Sequence, residues 1–160
     1  MPPAIIRGNA SEIIALANLW GLDTGVAKDG VRGVDATDSV DSAVVAAREL
    51  ARFIHGAVAV SGEVDVVTDG DVVIRSYGGS LLFTRVTGSG CSLGGVCAVY
   101  AAVTDPLTAA ITAVNMYNAA GKIAERKSNG PGSFEKIFLD TMYNLSADDV
   151  ASNAMEIGRI

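Results

Sequence analysis

The residues best suited to chemistry lie in one glycine-rich turn, residues 86–95, with a cysteine near its centre. Gly88 and Gly90 can take positive φ values and let a ligand approach the main chain closely. Cys91 follows them where a helix is expected to begin, and the free amides and dipole of a helix start favour negative charge there. The turn therefore predicts a phosphate site with an activated thiol beside it.

The residues around this turn indicate which elements position it. The apolar run 80–86 favours a strand, and the run 96–103 favours a buried helix. Gly21 to Asp38 reads as a loop, with Asp38 or Ser39 capping the helix that follows. The other apolar patterns predict strands at 4–7, 57–60, 64–68 and 72–76, and helices ending near 19 and 55, at 107–125, at 134–144 and from 147 onward.

Composition limits the class of protein. The chain has 160 residues, a net charge of −6 and a mean hydropathy of +0.35. Its length suits a single domain with its own core, and no Lys/Arg cluster favours nucleic acid or an anionic membrane as partner. No apolar run is long enough to span a bilayer. Two cysteines and no signal-peptide pattern predict a cytoplasmic protein with reduced thiols.

The first predicted strand and helix supply a second candidate site. Asn9 and Glu12 have the spacing of a capping box, which is a structural role at a helix start. The alternative is functional: Arg7, at the carboxyl end of its strand, and Glu12 would point into the crevice where α/β sheets bind their ligands. The residues alone leave both interpretations open.

Two familiar nucleotide motifs do not fit the glycine turn. A P-loop requires Gly-Lys-Ser or Gly-Lys-Thr after its glycines, and neither follows here. A dinucleotide-binding turn requires a second strand ending in an acidic residue about twenty residues on. Asp105-Pro106 leads into another helix instead. What remains is a Gly-x-Gly turn followed by a base, suited to phosphoryl transfer.

Three stretches, 6–12, 61–70 and 86–91, together resemble the hydroxyethylthiazole kinase family, a branch of the ribokinase-like fold. The resemblance implies an α/β fold: the C-terminal portion of a three-layer α/β/α sandwich with a partial central sheet. It also implies transfer of the γ-phosphoryl group of ATP to the primary alcohol of 4-methyl-5-(2-hydroxyethyl)thiazole in thiamine synthesis or salvage, with Mg²⁺. Ribokinase-like enzymes usually carry Asp where Cys91 stands, whereas Cys is typical of the thiazole kinases.

The resemblance also assigns roles to residues of the glycine turn. Cys91 would be the catalytic base, or the group that orients the attacking hydroxyl. Gly88 would border the thiazole, and the amides of Gly88, Ser89, Gly90 and Cys91 would bind the transferred phosphate.

Outside that turn, Arg7 and Ser61 would contact the nucleotide. The family usually has Thr at the latter position, so the hydroxyl is kept. Asn9 and Glu12 match the Asn-x-x-Glu element that organises Mg²⁺ in these folds.

The matching stretches begin in the middle of the family's pattern. An N-terminal segment carrying central strands and much of the thiazole pocket is expected and has no counterpart here. The resemblance implies a homo-oligomer, a trimer in the family, or a complementing N-terminal chain as partner. A second hypothesis is a non-catalytic nucleotide- or phosphate-binding module or a split-protein subunit. A sugar or pyrimidine-alcohol kinase is a third, disfavoured by the cysteine.

Overall fold

The computed structural model describes residues 2–24 and 40–159. Its strands are β1 (Ile5–Asn9), β2 (Ala57–Ser61), β3 (Asp65–Thr68), β4 (Val72–Ser76) and β5 (Met155–Arg159). Its helices are α1 (Ala10–Leu19), α2 (Val40–Ile54), a 3₁₀ helix (Leu81–Arg85), α3 (Ser89–Ala101), α4 (Pro106–Lys127), α5 (Pro131–Asn144) and α6 (Ala147–Ala151). These bounds agree with most of the elements expected from the sequence.

The described strands form one sheet in the order β1-β2-β3-β4-β5. Strands β1 and β2 are parallel, and every later pair is antiparallel. The predicted hairpin is present, because Asp69 turns the chain between β3 and β4 by accepting from the amides of Asp71 and Val72. In the register of the parallel pair, Asn9 lies opposite Ser61. The carboxyl ends of β1 and β2 therefore meet at one end of the sheet.

Two separate apolar cores cover the two faces of this sheet. Successive residues of a strand point to opposite faces, and β2 is buried on both. Val58 and Val60 pack with α1 and α2, whereas Ala57 and Ala59 pack with α3, α4 and α5. The small residues of β2 face the alanine-rich side of α4, which allows close approach. The three-layer α/β/α arrangement is confirmed.

The predicted strand before the glycine turn was wrong. Residues Leu81–Arg85 form a 3₁₀ helix, in which the Ser80 side chain accepts from the Leu82 amide at 3.0 Å. A strand would send the adjacent Leu82 and Phe83 to opposite faces, whereas the tight helix lets both pack against the α3–α5 core. The apolar pattern therefore reflects burial against helices rather than a place in the sheet.

Three further differences concern the same half of the chain. Helix α3 is apolar but not buried: only Leu93 and Cys97 are buried, and Val99 is 69 % exposed. Gly88 has φ +85°, as expected, but Gly90 lies inside the helix without a positive φ. Strand β5 was missed, because its Met-Glu-Ile-Gly-Arg sequence carries little strand signal and forms only by pairing with β4.

The expected loop at 21–38 and the proposed cap at 38 or 39 lie largely or wholly outside the described residues. Among the described helices, none combines the length and apolar character that crossing a bilayer requires.

Candidate active site

Arg7 and Ser61, 54 positions apart in sequence, meet at the carboxyl ends of β1 and β2. The Arg7 guanidinium donates from Nη2 to Ser61 Oγ at 3.0 Å and from Nε at 3.3 Å. A planar guanidinium held by two of its five N–H groups keeps a fixed direction, and the remaining groups stay available for a bidentate anion. The pairing of parallel strands thus creates an oriented cation.

The same guanidinium lies against the first turn of α3. A Cβ atom built on Gly90 would fall 2.8 Å from Arg7 Nη2 and 3.2 Å from Nη1. Only glycine leaves room for the arginine at this distance. Positive charge from β1 and the amino end of α3 are therefore brought together, which is the combination that binds a phosphate group.

The start of α3 is set by its N-cap, Gly88, which adopts the left-handed conformation and has no side chain to cap the helix. The Ser92 amide donates to Gly88 O at 2.9 Å, and the Ser89 amide donates to Val86 O at 3.4 Å. The Ser89 hydroxyl turns inward to Phe83 O at 2.8 Å. The amides of Gly90 and Cys91 lie in the first turn, where a helix provides no acceptor for them.

A contact with α4 holds this first turn in place. Ser92 Oγ lies within hydrogen-bonding distance of Tyr117 Oη, of Ser89 O at 2.9 Å and of Gly88 O at 3.1 Å. The serine has one proton, so the tyrosine donates to it when the serine donates to the main chain. Burial raises the pKa of the Tyr117 hydroxyl, which keeps it protonated as a donor. The sequence analysis assigned a role at the site to neither Ser92 nor Tyr117.

Cys91 is exposed and lines a cleft of about 800 Å³. Arg7 and Glu12 line the same cleft. The rest of the lining is main chain or apolar: Ala4, Ile5, Ile6, Gly8, Ile13, Leu16, Gly94, Cys97, Ala98, Ala101 and Ala102. The cleft therefore runs between α1 and α3 along β1, the edge strand of the described sheet, with its charged groups at the carboxyl end of that strand.

The second cysteine has a different environment. Cys97 is buried in the α3–α5 core, as expected from its apolar neighbours. Burial raises the pKa of its thiol, and the charge of Arg7 opposes that effect. The thiol that faces the open part of the cleft is therefore Cys91.

Asn9 and Glu12 form the capping box that their spacing predicts. Asn9 Oδ1 accepts from the Glu12 amide, and Glu12 Oε2 accepts from the Asn9 amide, each at 2.8 Å. Ser11 Oγ donates to the same Asn9 oxygen at 2.8 Å. The Asn9 oxygen thus has two donors already, whereas Glu12 lines the cleft and uses only Oε2 in the capping box. No group of three or more His, Cys, Asp or Glu residues suited to a metal occurs in the described part.

A model of the hydroxyethylthiazole kinase family matches residues 1–148. This chain belongs to that family. Among curated relatives, a hydroxyethylthiazole kinase from Bifidobacterium adolescentis is 52 % identical over 96 % of this chain and 55 % of its own length. Hydroxyethylthiazole kinases from Bifidobacterium longum and Citrobacter koseri are 49 % and 46 % identical, each covered over 54 % of its length.

A solved structure of the family has a similar fold. The hydroxyethylthiazole kinase from Pyrococcus horikoshii OT3 superposes with a TM-score of 0.78 at 28 % identity, over 98 % of this chain and 54 % of that one. The ribokinase-like fold expected from the sequence is therefore confirmed. The chain spans about half the length of the curated relatives and of the solved structure that it matches.

Within this family member, the structure brings Arg7 and Cys91 to one cleft, with Ser61 holding the Arg7 guanidinium and Gly90 lying against it. Glu12 lines that cleft as well, while Asn9 is occupied in capping α1. A residue that the sequence reasoning missed lies close by: Asp65, which accepts from the Gly62 amide at 2.9 Å. A carboxylate at the start of an otherwise apolar strand was the available signal.

Proposed function

We propose that this chain carries the phosphate-binding half of a hydroxyethylthiazole kinase site, which transfers the γ-phosphoryl group of ATP to the primary alcohol of 4-methyl-5-(2-hydroxyethyl)thiazole. The supporting observation is the convergence of the Arg7 guanidinium, the start of α3 and the exposed Cys91 at one end of an open cleft. Phosphoryl transfer depends chiefly on positioning and on neutralising charge, and these groups supply both.

In the proposed reaction, the alcohol oxygen attacks the γ-phosphorus, and the bond from that phosphorus to the bridging oxygen of ADP breaks. Arg7 binds phosphate oxygens with the N–H groups that Ser61 leaves free, and the amides of Gly90 and Cys91 bind the transferred group. The alcohol proton passes to the Cys91 sulfur, or the sulfur orients the alcohol while the proton passes to phosphate. Gly88, whose surroundings are open, borders the thiazole.

The residues present fit a magnesium ion held mainly by phosphate and water. Magnesium in kinases commonly takes one or two carboxylates from the protein and the rest of its ligands from the substrate. Glu12 lines the cleft and uses only Oε2 in the capping box, through which Asn9 holds the Glu12 carboxylate in place. When bound, the ion supplies charge neutralisation on the transferring phosphate.

We further propose that the site is completed by other polypeptide, supplied by a homo-oligomer or by a complementing chain. The support is geometric: the cleft lies along β1, which pairs with β2 on one side only within the described sheet. Two free cysteines suit a reducing, cytoplasmic setting.

The test is product formation. The purified chain is incubated with ATP, Mg²⁺ and the thiazole alcohol, alone and with the N-terminal half of a full-length relative, and phosphorylated alcohol is measured by mass spectrometry. The proposal expects product in at least the complemented reaction. A second candidate function, a nucleotide-binding module without turnover, is favoured by the openness of the cleft. It predicts thermal stabilisation by ATP and no product in either reaction.

A further inference from the structure

Asp65 closes the turn that carries Ser61. Its Oδ1 atom accepts from the Gly62 amide at 2.9 Å, and its Oδ2 atom accepts from Asn118 Nδ2 at 3.0 Å. Gly62 directly follows Ser61, the acceptor for the Arg7 guanidinium. A single carboxylate thus ties the end of β2, where the arginine is anchored, to helix α4 behind the sheet.

A buried hydrogen-bond network fixes the far side of this carboxylate. Asn118 Nδ2 also donates to Ser76 Oγ at 2.9 Å, and Ser76 donates to Asn115 Oδ1 at 2.7 Å. Asn153 donates to Ser76 Oγ at 3.1 Å and to Asn115 Oδ1 at 3.2 Å. Within the described residues, every buried side-chain nitrogen or oxygen has a partner. A fully satisfied network of this kind contributes to the stability of the fold, and Asp65 joins it through the single hydrogen bond from Asn118.

The carboxylate also acts on the arginine without pairing with it. In the described part of the chain, the guanidinium of Arg7 donates to Ser61 and forms no ion pair. Burial raises the pKa of Asp65, while the Gly62 and Asn118 hydrogen bonds and the charge of Arg7 oppose that effect. An acid bonded directly to Arg7 would compete with phosphate, whereas one acting across the turn leaves the guanidinium available.

We propose that Asp65 is a positioning residue for the Arg7–Ser61 pair: by holding the Gly62 amide and anchoring to Asn118, it fixes the acceptor that aims the arginine at phosphate. This inference rests on the proposed function, because it is the nucleotide phosphate that Arg7 would meet. The network beyond Asn118 serves stability, and the Asp65–Gly62 bond serves binding. The two roles are therefore separable by mutation.

The experiment compares Asp65→Ala with Ser76→Ala, which removes the centre of the network but leaves both hydrogen bonds of Asp65 in place. One measurement is the ¹⁵N–¹H NMR signal of Arg7 Nε in the free chain, which reports its hydrogen bond to Ser61. The other is the Kd for ADP by isothermal titration calorimetry, with melting temperature recorded for each variant.

The proposal expects Asp65→Ala to lose the protected Nε signal and to raise the Kd for ADP by about tenfold, the effect of one charge-assisted hydrogen bond. Ser76→Ala is expected to lower the melting temperature and leave both other readouts unchanged. Asp65→Asn serves if the alanine variant does not fold: it keeps an acceptor for the Gly62 amide but places an Nδ2 donor against the Asn118 Nδ2 donor, so it loses the anchor to α4 and should weaken ADP binding severalfold.

The two proposals fail in different ways. If the wild-type chain binds ADP and neither Asp65 variant changes the Kd or the Nε signal, Asp65 has no positioning role and the proposed function stands. If the Nε signal depends on Asp65 but the wild-type chain binds no nucleotide, alone or with the N-terminal half of a full-length relative, the positioning is upheld and the nucleotide site is refuted. Equal effects of Ser76→Ala and Asp65→Ala on ADP binding would also overturn the inference, since the role would then be general stability.

Discussion

Replacing Gly90 by alanine tests the geometry on which the proposed phosphate site depends. The added Cβ would lie 2.8 Å from Arg7 Nη2, and ordinary contact begins near 3.4 Å. The guanidinium must therefore move away by about half an ångström. The bond from Nη2 to Ser61 Oγ is 3.0 Å long, so a displacement of that size, directed away from α3, misaligns it.

The expected magnitude follows from what the displaced group does. Hydrogen bonds to charged groups contribute about 1.5 to 3 kcal/mol, and about 1.4 kcal/mol corresponds to a tenfold change in Kd. We expect Gly90→Ala to raise the Kd for ADP at least about tenfold. The fold itself should tolerate the change, because alanine in a helix is favoured over glycine by about 0.5 to 1 kcal/mol and the obstructing atoms belong to the end of a flexible side chain.

Gly95→Ala is the matched control on the same helix. A Cβ atom at Gly95 meets nothing within 4 Å, and Gly95 is exposed and does not line the cleft, so this variant should gain helix stability and keep its affinity for ADP. Kd is measured by isothermal titration calorimetry, and stability by the midpoint of urea unfolding. A double-mutant cycle with Arg7→Ala completes the design: in that background, Gly90→Ala should have no further effect on Kd.

Equal ADP affinities for Gly90→Ala and Gly95→Ala would refute the reasoning, since the displaced guanidinium would then not contact phosphate. An effect of Gly90→Ala that persists undiminished in the Arg7→Ala background would show that alanine blocks the ligand directly and that the arginine is not the mediator.

The remaining predictions concern the Cys91 thiol, the first turn of α3, the apolar core and the loss of stability at acid pH. Cys91→Ala should slow turnover severely in the complemented enzyme while ADP binding persists, and Cys91→Asp should retain activity; wild-type turnover by the alanine variant, in an assay of phosphorylated alcohol, would contradict the assigned role. Tyr117→Phe removes the donor to Ser92 and should lower kcat more than it raises the KM for ATP; an unchanged kcat would show that the turn is held without it. Phe134→Ala should cost about 3 to 5 kcal/mol in urea unfolding, because the ring is 1 % exposed and packs edge-on against Phe83; a cost below about 1 kcal/mol would place it outside the core. Hydrogen bonds from the Thr108 backbone amide and side chain lower the pKa of the Asp105 carboxyl. The stability that this lowered pKa contributes is present above the ordinary carboxyl range and is lost as the pH falls through the lowered value. Asp105→Asn should therefore reduce the loss of stability at acid pH, measured as the midpoint of urea unfolding against pH.

Local patterns anticipated most of the elements and part of the site. The Asn9/Glu12 spacing predicted the capping box, and Asp105-Pro106 predicted the start of α4, because both signals act within one turn of helix. The run 80–86 gave a wrong prediction, since Phe83 at its centre packs against the rings of Tyr117, Phe134 and Phe138, which lie far away in sequence. Strand β5 was missed for a related reason: its hydrogen bonds depend on β4, about eighty residues earlier.

By itself, the sequence determined the family, the glycine turn with Cys91 at its helix start, and the residue types that could meet a phosphate. Only the tertiary structure decided which of them meet. It paired Arg7 with Ser61 across two parallel strands, placed the guanidinium against Gly90, and tied Asp65 to α4 through the buried Asn118. The physical reason is that local preferences are encoded in neighbouring residues, whereas the direction of a charged side chain depends on contacts made by distant segments packed on the same sheet.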